Sequence, residues 1–230
     1  MTDRSFVSPA TRSRVRGLAV PVALALGRLG LTPNGLTVVG FLGTCAAAAA
    51  AAYQQWFLAG LLVLGFGIFD LFDGALARAT GRASKFGAFL DSTFDRAGET
   101  AIYLGIVAGF LTIGFREGAW LAAAAMAAAF LVSYTRAKAE GLADPARAAM
   151  GDVGVMPREV RLAILGIGLL IATGPLYEVP PAGALCAGVC DVVQGGSVAV
   201  ALLLISVGST VTVIQRILHV KRQLEQGEIQ

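Results

Sequence analysis

Residues 69–96 read FDLFDGALARATGRASKFGAFLDSTFDR, and this stretch decides the fold because it places four aspartates in an otherwise apolar chain. The acidic positions are Asp70, Asp73, Asp91 and Asp95. The first two are three residues apart and the last two are four apart, so each pair lies on one face of a helix. Two such helices, joined by a short polar link, are expected to be antiparallel neighbours with their acidic faces together.

The acidic stretch predicts a divalent metal site. An ionisable side chain close to hydrocarbon is costly, and for that reason it indicates a functional site. Four converging carboxylates repel one another unless cations lie between them. A ligand set made only of oxygen favours Mg²⁺ or Mn²⁺ over zinc. Such a site is suited to phosphate chemistry.

Composition indicates the class of protein around this site. The chain has 230 residues, of which 56% are hydrophobic and 14% charged, and its mean hydropathy is +0.73. These values exclude an ordinary soluble domain and predict an all-α polytopic membrane protein. Six apolar stretches have the length needed to span a bilayer, and they lie at about residues 35–53, 56–78, 86–114, 117–138, 160–177 and 197–217.

The expected organisation is a single membrane domain over residues 1–230. Arginines alternating with apolar residues predict an interfacial amphipathic helix in residues 1–31, with a weak extra span as the alternative. A transmembrane bundle at 32–222 and a tail at 223–230 complete the domain. The amino-terminal segment lacks the clean apolar block of a cleavable signal.

The distribution of basic residues predicts the orientation. With the amino terminus in the cytoplasm, nearly all arginines and lysines fall on or near the inner side, and only Arg116 falls clearly outside. This distribution follows the positive-inside rule. Both termini and the acidic cluster are therefore expected to face the cytoplasm.

Eight positions in the acidic stretch carry a resemblance to a known family. They are Asp70, Asp73, Gly74, Ala77, Arg78, Gly87, Asp91 and Asp95, with eight residues separating the fifth position from the sixth. This pattern resembles the signature of the CDP-alcohol phosphatidyltransferases, which are six-span helical membrane proteins and usually homodimers. The resemblance implies attack by the hydroxyl of a small alcohol on a CDP-linked lipid, such as CDP-diacylglycerol, with release of CMP.

The resemblance also implies roles for individual residues. Two Mg²⁺ or Mn²⁺ ions would be held by Asp70, Asp73, Asp91 and Asp95, and Asp95 would also serve as the catalytic general base. Glycine at position 74 lets a nucleotide approach the backbone, and the Arg78 guanidinium can reach a phosphate. The implied CDP-binding residues are Asn34, Thr37, Asp70, Gly74, Ala77, Arg78 and Gly87. Capping of the first span is an equal alternative for Asn34.

Basic residues in the second half of the chain predict the acceptor. Arg136, Lys138, Arg158, Arg161 and Arg216 would form a pocket for a phosphorylated alcohol. The segments SYTRAKAEG, MPREVRL and IQR resemble those of the prokaryotic phosphatidylinositol phosphate synthases of the family, which implies inositol 1-phosphate as acceptor and a prokaryotic inner membrane as location. Glycerol 3-phosphate is the second acceptor. Positive-inside topology with lipid headgroup contact is the alternative for these cations.

Two glutamates are expected to assist the charged groups. Glu140 is expected to hold Arg136 or Lys138, and Glu99 either orients the base or pairs with Arg96.

Two functions of other classes remain alternatives. Acidic clusters also mark the cation paths of transporters, and the run of alanines at 46–52 would suffice for a membrane scaffold. Membrane lipids and a second copy of the chain are the expected partners, and no nucleic-acid partner is expected. A disulfide between Cys186 and Cys190 is an open alternative to two small apolar fillers.

Overall fold

The computed structural model describes residues 20–142, 153–172 and 187–227, and the regular structure in these ranges is entirely helical. Seven helices follow a helical stretch at residues 20–28. They are α1 (Pro33–Ala52), α2 (Trp56–Gly67), α3 (Phe69–Ala79), α4 (Lys85–Thr112), α5 (Arg116–Leu142), α6 (Arg158–Ile171) and α7 (Ala187–Gly227). The predicted all-α class is confirmed.

Four helical segments of the described residues are long and apolar enough to span a membrane. They are Pro33–Ala52, Trp56–Ala79, Arg116–Gly141 and Gly195–Glu225. Large apolar side chains on them are exposed, among them Leu42 at 59% and Leu204 at 53%. Such exposure is costly in water and is expected where lipid covers the surface.

The predicted spans at 86–114 and 160–177 are not among these four segments. Helix α4 does cover the first of them, but it carries several ionisable residues near its start. Helix α6 covers only part of the second, because the structure describes this region only as far as residue 172. Residues 1–19, most of the predicted interfacial helix, lie outside the described part. Six spans with an interfacial helix are therefore not confirmed.

Short links connect the two acidic helices to the rest of the chain. Helices α2 and α3 are separated by Ile68 alone. Between α3 and α4 the chain turns through Gly81, whose φ of +65° favours glycine. Ser84 then caps α4, because its Oγ accepts a hydrogen bond of 3.0 Å from the Gly87 backbone N–H.

Small residues bring α1 and α4 into close contact. A Cβ atom added at Gly105 would lie 2.2 Å from the carbonyl oxygen of Ala48, and one at Gly109 would lie 2.4 Å from that of Ala51. The alanine run of α1 is buried here against α4, together with Trp56. The run therefore serves helix packing, as small residues do in membrane helices.

Helix α1 also positions α3. A second apolar cluster joins Leu36 of α1 to Leu76 of α3 and to Ala23 of the helical stretch at 20–28. Helix α1 therefore packs against both acidic helices, α3 and α4.

The remaining helices form the other side of the bundle. Helix α7 packs against α5 and α6, and α6 packs against α2. Cys186 and the side chain of Cys190 lie outside the described residues, so their pairing stays a prediction.

Candidate functional site

Three of the four aspartates converge between α3 and α4. Asp70, Asp91 and Asp95 each offer a carboxylate oxygen, and these three atoms lie within 4.8 Å of one another. All three residues are partly buried. We call this group the acidic cluster. The structure therefore brings together three of the four aspartates that were predicted to converge.

Asp73 lies on α3 with Asp70 but is not one of the three converging residues. Its side chain is 5% exposed, and its Oδ2 accepts a hydrogen bond of 2.7 Å from the Thr37 hydroxyl of α1. Thr37 was predicted to contact the nucleotide, and in this structure it holds a carboxylate of the predicted metal set.

The donor set of the acidic cluster fits a hard divalent cation. Carboxylate oxygens are the ligands that Mg²⁺ and Mn²⁺ prefer. Asp91 Oδ1 is buried and has no hydrogen-bond partner, which is unfavourable for a charged oxygen unless a cation approaches it. The residues present therefore suit the predicted metal.

Arg158 contacts the acidic cluster directly. Its guanidinium is hydrogen-bonded to Asp70 and lies 2.8 Å from Asp95 Oδ1. The Arg158 side chain is 15% exposed, and its Nε is buried without a partner. The sequence predicted Arg158 as a ligand of the acceptor phosphate, and the structure places it in contact with two of the four carboxylates.

Arg161 is occupied by a partner within the protein. Its Nε and Nη2 donate hydrogen bonds of 2.7 and 2.8 Å to the two carboxylate oxygens of Glu99, and its Nη1 donates one of 3.0 Å to the Met156 carbonyl. Arg161 is 1% exposed and Glu99 is 5% exposed. The Glu99 carboxylate is farther from Arg96, at 3.8 Å, than from Arg161, so Arg161 is its main partner. Sequence reasoning did not identify this pair.

Arg216 likewise binds the backbone. Its Nε donates a hydrogen bond of 2.9 Å to the Val153 carbonyl, and its Nη1 donates to the Val132 carbonyl. Arg136 pairs with Glu140 at 2.8 Å, as predicted, and both are exposed. Lys138 is exposed as well. Three of the five predicted cations therefore contact other groups inside the protein, namely Arg158, Arg161 and Arg216. The other two, Arg136 and Lys138, are exposed.

The residues predicted to bind CDP lie near the starts of α1 and α4 and along α3. Asn34 is adjacent to Gly87, because a Cβ atom added at Gly87 would lie 3.1 Å from Asn34 Oδ1. The cap of α1 is Thr32, whose side chain accepts from the Gly35 N–H, so the capping alternative for Asn34 is wrong. A Cβ atom at Gly74 would lie 3.2 Å from Nη1 of Arg78, which is exposed. Ala77 is half-buried on the same helix.

Known proteins resemble this chain over most of its length. The family model described as CDP-alcohol phosphatidyltransferase matches residues 30–212. The archaetidylinositol phosphate synthase of Pyrococcus horikoshii is 33% identical over 217 residues, which cover 94% of this chain and 97% of that protein. The phosphatidylinositol phosphate synthase of Cutibacterium acnes is 34% identical over 208 residues, which cover 89% of this chain and 93% of that protein.

Solved structures of a related synthase share this arrangement of helices. The crystal structure of Mycobacterium tuberculosis phosphatidylinositol phosphate synthase with CDP-DAG bound has a TM-score of 0.70 and 29% identity, and the match covers 88% of this chain and 92% of that one. The structure of the same synthase in complex with manganese and citrate also has a TM-score of 0.70 and 29% identity, with 88% of each chain covered.

Proposed function

Because this chain belongs to the CDP-alcohol phosphatidyltransferase family, we propose that it transfers a phosphatidyl group from CDP-diacylglycerol to inositol 1-phosphate. The products are phosphatidylinositol phosphate and CMP. The observation that carries this proposal is the convergence of Asp70, Asp91 and Asp95, at positions of the motif that first indicated the family. The relatives named above, which are synthases of inositol phosphate lipids, support the acceptor.

The metal ligands are Asp70, Asp73, Asp91 and Asp95, which hold two Mg²⁺ or Mn²⁺ ions. The buried, unpartnered Oδ1 of Asp91 supports this assignment, as does the manganese complex of the related synthase. Bound divalent cations would neutralise the pyrophosphate and stabilise the departing CMP. The hydrogen bond from Thr37 to Asp73 directs one carboxylate of this set.

The reaction is a substitution at phosphorus. A hydroxyl oxygen of the acceptor attacks the phosphorus that bears the lipid, a new P–O bond forms, and the bond from that phosphorus to the oxygen bridging the pyrophosphate breaks. CMP leaves with the electron pair of the broken bond. Asp95 accepts the hydroxyl proton as general base. Its position in the acidic cluster, one turn after Asp91 on α4, supports this role.

The nucleotide is bound by residues of α1, α3 and α4. The CDP-binding set is Asn34, Thr37, Asp70, Gly74, Ala77, Arg78 and Gly87. The proximity of Asn34 to Gly87 supports a common surface formed by the starts of α1 and α4. The exposed Arg78 guanidinium is available to a phosphate oxygen.

The acceptor phosphate is bound by a basic region that includes Arg158 and two exposed residues, Arg136 and Lys138. Arg161 and Arg216 were predicted as members of the same pocket. Their internal contacts favour a supporting role for them. An anionic acceptor requires cations of this kind, and a neutral alcohol does not.

The proposed molecule is one membrane domain over residues 1–230 with six spans and an interfacial amino-terminal helix. It works as a homodimer in the inner membrane of a prokaryote, with the acidic cluster toward the cytoplasm. Four helical segments of spanning length among the described residues support the membrane domain, and the positive-inside distribution expected from the sequence supports its orientation.

The decisive experiment is CMP release by the purified protein. In the presence of CDP-diacylglycerol and Mn²⁺, we expect the protein to release CMP when inositol 1-phosphate is added. A panel of alternative acceptors that includes glycerol 3-phosphate, inositol and serine identifies the acceptor. Asp95→Asn should abolish release, whereas Glu117→Gln, at an exposed position on α5, should leave it unchanged. Full turnover by Asp95→Asn would exclude Asp95 as base. Metal flux through proteoliposomes without any CDP-lipid would instead support a transporter.

A further inference from the structure

Residues 153–157, which we call the strap, lead directly into α6 and are held by side chains of α6 and α7. Arg216 of α7 donates to the Val153 carbonyl at 2.9 Å. The Met156 N–H donates to the Thr212 hydroxyl of α7 at 3.0 Å. The Met156 carbonyl accepts from Arg161, which is bound to Glu99 of α4. The strap is therefore anchored to two helices before α6 begins.

The ion pair between Glu99 and Arg161 is closed to solvent and fully engaged. Three guanidinium nitrogens of Arg161 donate to protein oxygens at 2.7 to 3.0 Å. An anionic ligand could reach this guanidinium only if the ion pair opened. The desolvation free energy of two buried charges cancels much of the free energy gained from their attraction, so a contribution to stability explains such a pair poorly. The precise positioning of the residues linked to the pair explains it better.

The ion pair is linked to Arg158 through the chain, because Arg161 also binds the Met156 carbonyl, two residues before Arg158. Arg158 is the residue after the strap, and its guanidinium contacts Asp70 and Asp95. Glu99 lies one helical turn after Asp95 on α4. The same turn of α4 therefore carries both a carboxylate that Arg158 contacts and the carboxylate that holds the strap.

We propose that Glu99 and Arg161 are positioning residues whose ion pair holds the strap against α4 and so sets where the Arg158 guanidinium lies relative to the acidic cluster. The part of this inference that concerns the acceptor rests on the proposed function. The part that concerns the acidic cluster does not, because it follows from contacts within the chain. Arg161 acts through Arg158 and does not itself bind the acceptor phosphate.

The first test measures Mn²⁺ affinity in a double-mutant cycle, without any substrate. Arg158→Gln removes a cation that competes for Asp70 and Asp95, so Mn²⁺ should bind about tenfold more tightly. Arg161→Lys keeps the charge but loses the two parallel hydrogen bonds, which loosens Arg158 and should also tighten Mn²⁺ binding, by about threefold. In the Arg158→Gln background the same change should have no effect, because there is no guanidinium left to position.

Equal effects of Arg161→Lys with and without Arg158 would overturn the inference, and so would the absence of any effect in the chain that retains Arg158. Glu99→Gln is the second variant and decides the same question if Arg161→Lys does not yield folded protein. The matched control is Glu225→Gln, which alters an exposed lysine–glutamate pair on α7 and should not change Mn²⁺ affinity.

The second test uses steady-state kinetics. Glu99→Gln and Arg161→Lys should raise the KM for inositol 1-phosphate by about tenfold and leave the KM for CDP-diacylglycerol unchanged. In the Arg158→Gln background, neither change should raise the KM for inositol 1-phosphate further. If the increases in KM multiplied in the double variants, Arg161 would contact the acceptor independently, and the inference would be overturned. If the wild-type protein releases no CMP with any acceptor, the proposed function fails, and the Mn²⁺ cycle still decides the positioning role.

Discussion

Replacement of Asp91 by asparagine should have opposite effects on stability with and without metal. The perturbation removes one of the three carboxylates of the acidic cluster and changes the side-chain volume little. Asp91 differs from its neighbours because Arg158 contacts Asp70 and Asp95, whereas Asp91 Oδ1 is buried without a hydrogen-bond partner. Asp91 therefore lacks the direct contact with Arg158 that the other two carboxylates have.

The magnitude follows from the separation of the carboxylates. Their nearest oxygens lie within 4.8 Å of one another, and two unit charges at that separation repel by about 3.5 kcal/mol at an effective dielectric constant of about 20. The side chains are partly exposed and Arg158 is close, so most of this repulsion is screened. We expect Asp91→Asn to raise the free energy of unfolding of the metal-free protein by about 1 to 2 kcal/mol.

With metal the effect reverses. A cation present at about 100 times its Kd stabilises the wild-type protein by about 2.7 kcal/mol, which corresponds to a rise in Tm of about 5 to 10 °C for a chain of this size. Asp91→Asn removes a ligand and a charge, so most of this rise should be lost.

The assay is thermal unfolding in detergent, followed by tryptophan fluorescence with Mn²⁺ or with a chelator. Trp56 is buried at 1% exposure and reports the loss of the core, while Trp120 is exposed at 77%. Glu117→Gln is the control, since this exposed glutamate lies outside the acidic cluster and its loss should leave both Tm values unchanged. A rise in Tm with Mn²⁺ that is as large in Asp91→Asn as in the wild type would refute the assignment of Asp91 as a metal ligand.

Three further predictions concern other parts of the molecule. Thr37→Val removes the hydrogen bond to Asp73 and should lower kcat/KM for CMP release about tenfold, because it leaves a buried carboxylate less satisfied. Gly105→Ala places a methyl group against a backbone carbonyl of α1 and should lower the free energy of unfolding by about 1 to 3 kcal/mol in chemical or thermal unfolding. A cysteine at position 82 should react with a membrane-impermeant thiol reagent only in inverted vesicles, and one at position 116 only in right-side-out vesicles, since Arg82 lies on the predicted cytoplasmic side and Arg116 outside.

Matched variants control each of these measurements. Thr112→Val removes an exposed hydroxyl that bonds only within its own helix and should leave CMP release unchanged. Gly65→Ala adds a methyl group where no atom lies within 4 Å and should not reduce stability. Labelling requires a background in which the three native cysteines are replaced. Wild-type activity in Thr37→Val would contradict the first prediction, and unchanged stability in Gly105→Ala would contradict the second. Labelling of both introduced cysteines from the same side of the membrane would contradict the third.

Much of the fold and of the acidic cluster could be predicted because local spacing determines them. A helix repeats every 3.6 residues, so Asp91 and Asp95 lie on one face in any helical arrangement, and they do converge with Asp70. The turn after α4, at Gly114 with a φ of +77°, also lies where the sequence predicts a break. The number of spans was harder to predict, since α4 combines a spanning length with ionisable residues near its start.

The partners of the buried arginines could not be predicted from spacing. Arg158 and Asp70 are 88 residues apart, and Arg161 and Glu99 are 62 apart. The sequence shows a basic residue in each case but does not show which acid or carbonyl will lie beside it. Arg161 and Arg216 were predicted to bind an anion together, and instead they bind a carboxylate and backbone carbonyls.

The sequence by itself determined that this is a helical membrane protein of the CDP-alcohol phosphatidyltransferase family with two acidic helix faces. Composition and periodicity suffice for the apolar helices and their acidic faces, because the cost of charge in hydrocarbon and the pitch of a helix apply locally. The family follows from the resemblance of the eight motif positions and from the match of the family model. Only the tertiary structure decided that Arg158 lies at the acidic cluster, that Asp73 binds Thr37, and that Arg161 is closed off by Glu99. Those contacts depend on how α1, α3, α4 and α6 pack, and packing is a property of the whole chain.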